Sequence, residues 1–325
     1  MNAQDLIAVQ NDNTPSFYTD LSEAIDNATA GDTLYIPGRN YVINDTINKP
    51  LHLIGTGINP NYTLATGITT IASASSQPQL FLGDNADGGS MTGIHFTSGV
   101  NKNIETDNNN ISNYYISRCY FSKRVIGNFL NSLFSQNIFR NTYVDSKNTN
   151  TVISYNIFVS YNNRFDNCLV ANNIFLNGGT SNATSIIQYT NSSMIENNIF
   201  KYPSYAVNNS NNCNIRNNTN VGNGLSSTNI FSGNFNDSVD LTTVFINYSG
   251  TGDAVNFTGN FHLPGGSPYK NAGTDGKDLG IYGGRFPWKD GLVPFNPHVV
   301  MKNISGNTDE NGNLQVEVEV QAQGN

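Results

Sequence analysis

Four charged side chains near the middle of the chain have the types needed to act on an acidic sugar: Arg124, Asp145, Arg164 and Asp166. Elimination across a uronate requires a base near the C5 proton and a positive group beside the carboxylate, and arginine can fill either role. Arg164 and Asp166 flank Phe165, so an inward Phe165 would send both to one outer face, which Arg124 and Asp145 could share. A solvated row of salt bridges would have the same sequence, and that alternative stays open.

Other kinds of site are less well marked. Hydrolysis with inversion requires two carboxylic acids separated by room for a water, and the sequence shows no obvious pair. Asp275 and Asp278, on either side of Gly276, are candidate calcium ligands, although an ordinary Asp-Gly turn would look the same. No other cofactor is indicated, since the four histidines lack the spacing of zinc ligands: His52, His95, His262 and His298.

Aromatic side chains on an outer surface offer flat apolar faces on which sugar rings can stack. Four tyrosines at predicted outward positions are therefore candidate substrate-binding residues: Tyr161, Tyr189, Tyr202 and Tyr205. Tyrosines that are buried, or packed at the edge of a sheet, would give the same pattern.

The elements that must position these residues come from a repeat between Met91 and Asn220. An apolar residue is followed three positions later by a residue that is usually Asn, and two positions after that by a residue that is usually Phe. The seven middle positions are 17 to 25 residues apart: Ile94, Cys119, Asn137, Asn156, Asn173, Asn198 and Asn218. A period near twenty without helical patterning predicts three short strands per turn, as in a right-handed parallel β-helix.

Stacking assigns a role to each repeated position. The apolar residue and the Phe should point into the interior, whereas the Asn should form a hydrogen-bonded ladder at a turn, where it tolerates a left-handed backbone. Cys168 and Cys213 share one column with a coil between them. Their backbones are therefore expected roughly 10 Å apart, too far for a disulfide.

Composition limits the classes of partner that the protein is expected to bind. Charged residues make up 12% of the chain and the net charge is -8, which disfavours nucleic acid because phosphate binding depends on Lys and Arg. No apolar run approaches the roughly 20 residues of a membrane span. Met1 to Gln4 resembles the remnant of a removed signal peptide, so we expect a secreted or cell-surface location.

The two ends of the repeat carry a family resemblance. Leu21 to Ala28 reads as a short helix, and it is followed by a Gly31-Asp32 turn and by strands ending in Pro37-Gly38 and Ile54-Gly55. With the segments 267–273 and 278–284 at the other end, this resembles the pectin-lyase-like β-helix proteins of secreted bacterial type, over roughly residues 17–284. The resemblance implies a fold hosting pectate lyases, polygalacturonases and uronan epimerases, but the sequence blocks of polygalacturonases are missing as a set.

The sequence therefore predicts an all-β protein: a right-handed parallel β-helix solenoid over residues 1–286, with an N-terminal capping helix in the cap (17–40) and coils over about 41–284. Residues 287–325 are predicted to form a short C-terminal β-hairpin tail around Asn311-Gly312. The expected function is polysaccharide binding without strong catalysis. The alternatives are a lyase or glycoside hydrolase acting on uronate-containing glycans, and a structural or adhesive surface protein.

Overall fold

The computed structural model describes residues 6–11, 14–97, 101–140, 148–159, 164–176, 186–200, 206–222, 226–235 and 240–322, apart from the side chains of residues 107, 108 and 241. Within these residues the fold is mostly β, and three sheets built largely from parallel strands dominate it.

The first sheet has twelve strands. From one edge to the other they are β2 (Thr14–Tyr18), β1 (Ile7–Asn11), β3 (Thr33–Tyr35), β6 (His52–Ile54), β9 (Ser90–Thr92), β12 (Tyr115–Ser117), β15 (Leu133–Ser135), β18 (Val152–Ser154), β21 (Leu169–Ala171), β24 (Met194–Glu196), β27 (Asn214–Arg216) and β28 (Ile230–Ser232). β1 pairs antiparallel with β2 and β3, and from β3 onward the pairs are parallel.

The second and third sheets follow the same order. The second contains β4 (Asn40–Val42), β7 (Thr69–Ala72), β10 (Ile94–Phe96), β13 (Tyr120–Phe121), β16 (Ile138–Phe139), β19 (Ile157–Phe158), β22 (Ile174–Phe175) and β25 (Ile199–Phe200). The third contains β5 (Asp45–Ile47), β8 (Leu80–Leu82), β11 (Lys102–Ser112), β14 (Arg124–Leu130), β17 (Asn148–Thr149) and β20 (Phe165–Asp166), and a further parallel pair is formed by β23 (Ile187–Gln188) and β26 (Val207–Asn208).

From β3 to β27, neighbouring strands in the three sheets are three elements apart in the chain, so each turn of the chain adds one strand to each sheet over most of the solenoid. This arrangement is solenoid-like and compatible with the β-helix that the repeat predicts. The reason is physical: a turn of about twenty residues cannot bury its own apolar face and must stack on its neighbours.

The interior confirms the predicted phenylalanine column. Successive rings stack with centroids 4.7 to 5.2 Å apart and planes within 16° of parallel, in the order Phe96, Phe121, Phe139, Phe158, Phe175 and Phe200. The column ends where the repeat has Asn220 instead of Phe, and the Asn220 side-chain amide donates to the Phe200 carbonyl.

The asparagine ladder is also present. The Oδ1 of Asn156 accepts hydrogen bonds from the backbone nitrogen and the amide of Asn137, and its own amide donates to Asn173 Oδ1 and to the Phe134 carbonyl. The left-handed residue is not the ladder Asn, however, but the residue before it. The corner needs its positive φ one position earlier, and this leaves the ladder amide free to face the next coil.

All three cysteines are buried and free, as predicted for Cys168 and Cys213. Burial raises the pKa of Cys119 and of Cys168 to about 12. These two thiols therefore stay protonated and unreactive at neutral pH.

A short helix is present near the N-terminal end, where the sequence predicts one. Helix α1 (Leu21–Asn27) is capped by the Asp20 side chain, which accepts a hydrogen bond from Glu23 N, and the helix buries Leu21, Ala24 and Ile25. It contacts β1 and β2 at one end of the first sheet. Two shorter helices follow the last coils, α2 (Leu241–Val244) and α3 (Gly252–Asn256). No helix of the described ranges is long and apolar enough to cross a membrane.

Part of the predicted tail forms a hairpin, in which β29 (His298–Thr308) is antiparallel to β30 (Leu314–Gln321). The alternating apolar side chains of β30, from Leu314 to Val320, are each about half exposed, between 49% and 55%. This exposure indicates that the apolar side chains of the hairpin are not packed against the solenoid.

Candidate functional site

A line of corner residues connects the first sheet to the second and holds a later part of the chain. Each lies directly before a ladder position and has φ between 50° and 59°: Arg118, Gln136, Tyr155, Asn172, Asn197 and Asn217. The strands of the two sheets are separated here by only two residues, so the chain must reverse direction tightly. Asn adopts this left-handed backbone more readily than most residues, which explains the doublets Asn172-Asn173 and Asn197-Asn198.

The side chains of these corners point outward and bind the segment 272–294, which we call the strap. Asn217 Nδ2 donates to the Ala272 carbonyl at 2.7 Å, and Asn197 exchanges two hydrogen bonds with Thr274 at 2.9 and 3.0 Å. Asn172 Nδ2 donates to the Gly280 carbonyl at 3.2 Å. The strap therefore begins at the last coils and runs back along the solenoid.

The earlier corners hold the rest of the strap. The Tyr155 hydroxyl accepts hydrogen bonds from the backbone nitrogens of Arg285 and Phe286. Gln136 Nε2 donates to the Pro287 carbonyl at 2.9 Å, and the buried Arg118 guanidinium donates to the Val293 carbonyl. Arg118 also lies 3.6 Å from the centre of the Phe295 ring. Six corners on six successive coils thus fix one continuous segment.

A groove of about 690 Å³ lies between this strap and the outer face of the first sheet. Two columns of outward side chains form its floor, because each residue is in register with its counterpart one coil away. One column is apolar and the other consists of small residues, mainly hydroxyls: first Tyr115, Leu133, Val152 and Leu169, then Ser117, Ser135, Ser154 and Ala171. Phe286 and Phe295 line the wall.

Charge is sparse in this groove. Its charged lining residues are Glu196, Asp275 and Arg285. Glu196 is paired with Arg216 on the next coil, with Arg216 Nε 2.7 Å from Glu196 Oε2. The groove therefore offers apolar surface and hydroxyl groups, with a single arginine at its exposed wall.

Three of the residues predicted to act on an acidic sugar lie elsewhere, on or directly beside the third sheet: Arg124, Arg164 and Asp166. Phe165 is fully buried, as expected, with Arg164 and Asp166 beside it. Asp166 pairs with Thr149 on the neighbouring strand, and Thr149 pairs with Leu130, the last residue of β14. Arg124 is the first residue of β14. Six residues of strand correspond to roughly 20 Å, so Arg124 and Asp166 are not brought together.

The remaining predicted site residues are also dispersed. Asp166 Oδ1 accepts hydrogen bonds from the backbone and side chain of Asn191, and Asp145 lies outside the described residues. Tyr189 is 54% exposed but follows β23, which pairs with β26 outside the three main sheets. Three candidate tyrosines lie outside the described residues: Tyr161, Tyr202 and Tyr205.

The two candidate calcium ligands have different surroundings. Asp278 is bonded to Lys270 Nζ at 2.9 Å and to the backbone nitrogen of Asn271. Asp275 is exposed at the groove and accepts a hydrogen bond from Lys277 N. Within the described ranges, no three His, Cys, Asp or Glu side chains are placed to hold a metal ion.

The sequence pattern missed the groove residues for an identifiable reason. The floor columns lie beside the repeated apolar positions and could have been located by counting one residue either way. The wall could not, because no local pattern links the strap to the corners.

A scan against protein-family models and a search of curated proteins find no match to this chain.

Proposed function

We propose that this chain is a polysaccharide-binding protein that holds a glycan chain in the groove between the first sheet and the strap. The observation that carries the proposal is the groove itself: it crosses at least five coils, from Tyr115 to Glu196, and its wall is fastened coil by coil. A long, pre-formed groove suits an extended chain ligand, because little ordering accompanies binding.

The lining favours neutral sugars over uronates. Pyranose rings have apolar faces and hydroxyl rims. These match a floor that has one apolar column and one column of mainly serine residues. A uronate chain would place a carboxylate at each sugar. Among the described lining residues, Arg285 is the one basic residue, and Glu196 and Asp275 are acidic. Glu196 is already paired with Arg216, and the exposed carboxylate of Asp275 would repel a polyanion.

The fold supports the same proposal. Stacked three-strand turns, a capping helix and the terminal segments are what a pectin-lyase-like protein would have, and parallel crossover connections are right-handed in almost all proteins. We therefore propose a right-handed parallel β-helix that acts at the cell surface or outside the cell.

A second candidate is glycoside hydrolysis in the same groove. Asn197 and Thr274 are joined by two hydrogen bonds, and their neighbours Glu196 and Asp275 both line the groove. Two carboxyl groups at one end of a sugar-binding groove are the requirement for acid-base cleavage of a glycosidic bond.

The test is a calorimetric titration of the full chain with neutral and uronate oligosaccharides. Ser135→Trp should fill the groove and Phe286→Ala should remove part of its wall, so each should weaken binding roughly tenfold or more. Tyr189→Ala is the control, since this exposed tyrosine follows β23 and does not line the groove. Absence of binding to every glycan, or equal loss in the control, would refute the proposal. Release of reducing ends, abolished by Glu196→Gln, would instead establish hydrolysis.

A further inference from the structure

A second, smaller pocket lies on the other side of the strap, against the outer face of the second sheet. Its volume is about 250 Å³, and Ile138 and Ile157 of the sheet form its base. The segment 253–262 and the strap residues 282–292 form its sides. A space of this size is below that of most ligand sites and suits one small group.

Aromatic rings are concentrated in this pocket. Five of its sixteen lining residues are Phe, Tyr or Trp, against 11% in the whole chain, and a histidine adds a sixth ring. The six rings define what we call the aromatic pocket: Tyr62, Phe257, Phe261, His262, Tyr282 and Trp288. Ring faces carry partial negative charge and attract cations, most strongly for Trp and Tyr.

The acidic residues that line the aromatic pocket are not matched by basic ones in the described part of the chain. Asp253 and Asp290 line it, and none of the described lining residues is a lysine or arginine. The Tyr282 hydroxyl donates to Asp290 Oδ1 at 2.7 Å. Burial, and then the hydrogen bond to Asp290, raise the pKa of Tyr282, so the phenol keeps its proton and continues to donate to Asp290.

The walls are held in place without a ligand. The His262 ring stacks on Tyr282 with centroids 3.5 Å apart, and its Nδ1 lies 2.8 Å from Asn260 Oδ1. Trp288 is only 8% exposed, whereas Tyr62 and Asp290 remain exposed at the rim. The rings are thus ordered by the fold, which limits the entropy lost on binding.

We propose that the aromatic pocket binds a small organic cation, an alkylammonium group held against the ring faces with Asp290 as its counter-ion. An anionic ligand would meet the Asp290 carboxylate and no lysine or arginine among the described lining residues. A neutral ligand would use the rings but gain nothing from Asp290, and this difference makes the proposal testable. The site is separate from the proposed glycan groove and does not depend on it.

Trp288 supplies the readout, because it is the single tryptophan of the chain. The full chain is titrated with choline chloride and with tetramethylammonium chloride while Trp288 fluorescence is recorded, at constant ionic strength. The neutral analogue 3,3-dimethylbutan-1-ol, which has the shape of choline, is titrated in parallel. We expect a saturable change with both cations and binding at least roughly tenfold weaker with the neutral analogue.

Asp290→Asn should weaken choline binding about tenfold, and Tyr62→Ala should weaken it to a similar extent. Both side chains are exposed, so neither change is expected to prevent folding, which circular dichroism checks. Asp275→Asn, a carboxylate in the groove, is the matched control and should leave the affinity unchanged. Equal affinity for the neutral analogue, or unchanged choline affinity in Asp290→Asn, would overturn the proposal. It would also be overturned if neither fluorescence nor calorimetry detected saturable binding.

Discussion

The phenolic oxygen of Tyr155 lies 3.1 Å from the backbone nitrogen of Arg285, 130 residues later in the chain. This hydrogen bond joins a corner in the middle of the solenoid to the segment that walls the groove. The same oxygen accepts a second hydrogen bond, from Phe286 N at 3.3 Å. The shape of the groove therefore depends on contacts between a repeat and a segment outside it.

Tyr155→Phe should loosen the strap locally. Two backbone N–H groups lose their acceptor, and because they are near solvent the cost should be about 1 kcal/mol of unfolding free energy. Hydrogen exchange at the Arg285 and Phe286 amides should accelerate. Tyr114→Phe is the control, since the buried Tyr114 hydroxyl has no hydrogen-bond partner in the described structure and its removal should not destabilise the protein. Unchanged exchange at both strap amides would contradict the role of Tyr155.

Gly284→Ala should disrupt the same contact from the other side. Gly284 has φ of +67°, and an added Cβ would meet the Tyr155 hydroxyl at 2.3 Å, so both backbone strain and overlap oppose the substitution. We expect a loss of roughly 2 kcal/mol in urea denaturation. Gly265→Ala, where an added Cβ meets nothing within 4 Å, should have little effect. If the two variants are equally stable, the close approach of strap and corner is not as described.

Asn156→Ala tests the asparagine ladder. It would leave the backbone nitrogen and the amide of Asn137 without their acceptor and the Phe134 carbonyl without its donor, all in a dry interior. The expected loss is roughly 3 kcal/mol or more in chemical denaturation. Asn234→Ala, at the half-buried end of the ladder, should cost about 1 kcal/mol. A ladder that contributes only side-chain packing would show no such difference.

Phe158→Ala tests the ring column. The Phe158 ring lies 4.8 Å from Phe139 and 4.8 Å from Phe175, so its removal leaves a cavity between two stacked neighbours. A loss of roughly 3–5 kcal/mol is expected, against less than about 1 kcal/mol for the exposed Phe286→Ala. Thermal unfolding of both variants measures the contrast, and similar melting temperatures would argue against the column.

His95 should make stability depend on pH. Burial, and then the nearby charge of Arg140, lower the pKa of His95 to about 4 from its usual 6.5, so the folded protein holds a neutral ring where the unfolded chain would bind a proton. Stability is therefore complete above pH 6.5 and decreases as pH falls towards 4, by up to about 3 kcal/mol.

His95→Phe, which keeps a ring against Tyr120, should remove this slope from urea denaturation measured between pH 4 and 7. Arg140→Gln should make the slope shallower, because removing the positive charge lets His95 retain its proton at a higher pH. A slope that is identical in the wild type and in His95→Phe would show that other groups cause it.

The features that depend on contacts between neighbouring coils can be predicted from the sequence. Phe158 and Asn156 were identifiable because each recurs at a fixed place in the repeat and meets its own counterpart about one strand spacing away. The capping helix and the terminal hairpin were likewise encoded locally, by an Asp20 cap and by alternation around Asn311-Gly312.

The location of the groove, by contrast, cannot be predicted from the sequence, because it depends on how distant segments pack together. The sequence predicts a shared outer face for Arg124 and Asp166, but β14 is seven residues long. Arg124 begins β14, whereas Asp166 is aligned with its other end. Tyr155 and Gln136 look like arbitrary corner residues until the strap returns to them from more than 100 positions away. A repeat specifies contacts between coils, whereas a groove depends on how a non-repeating segment folds back, and no local spacing records that.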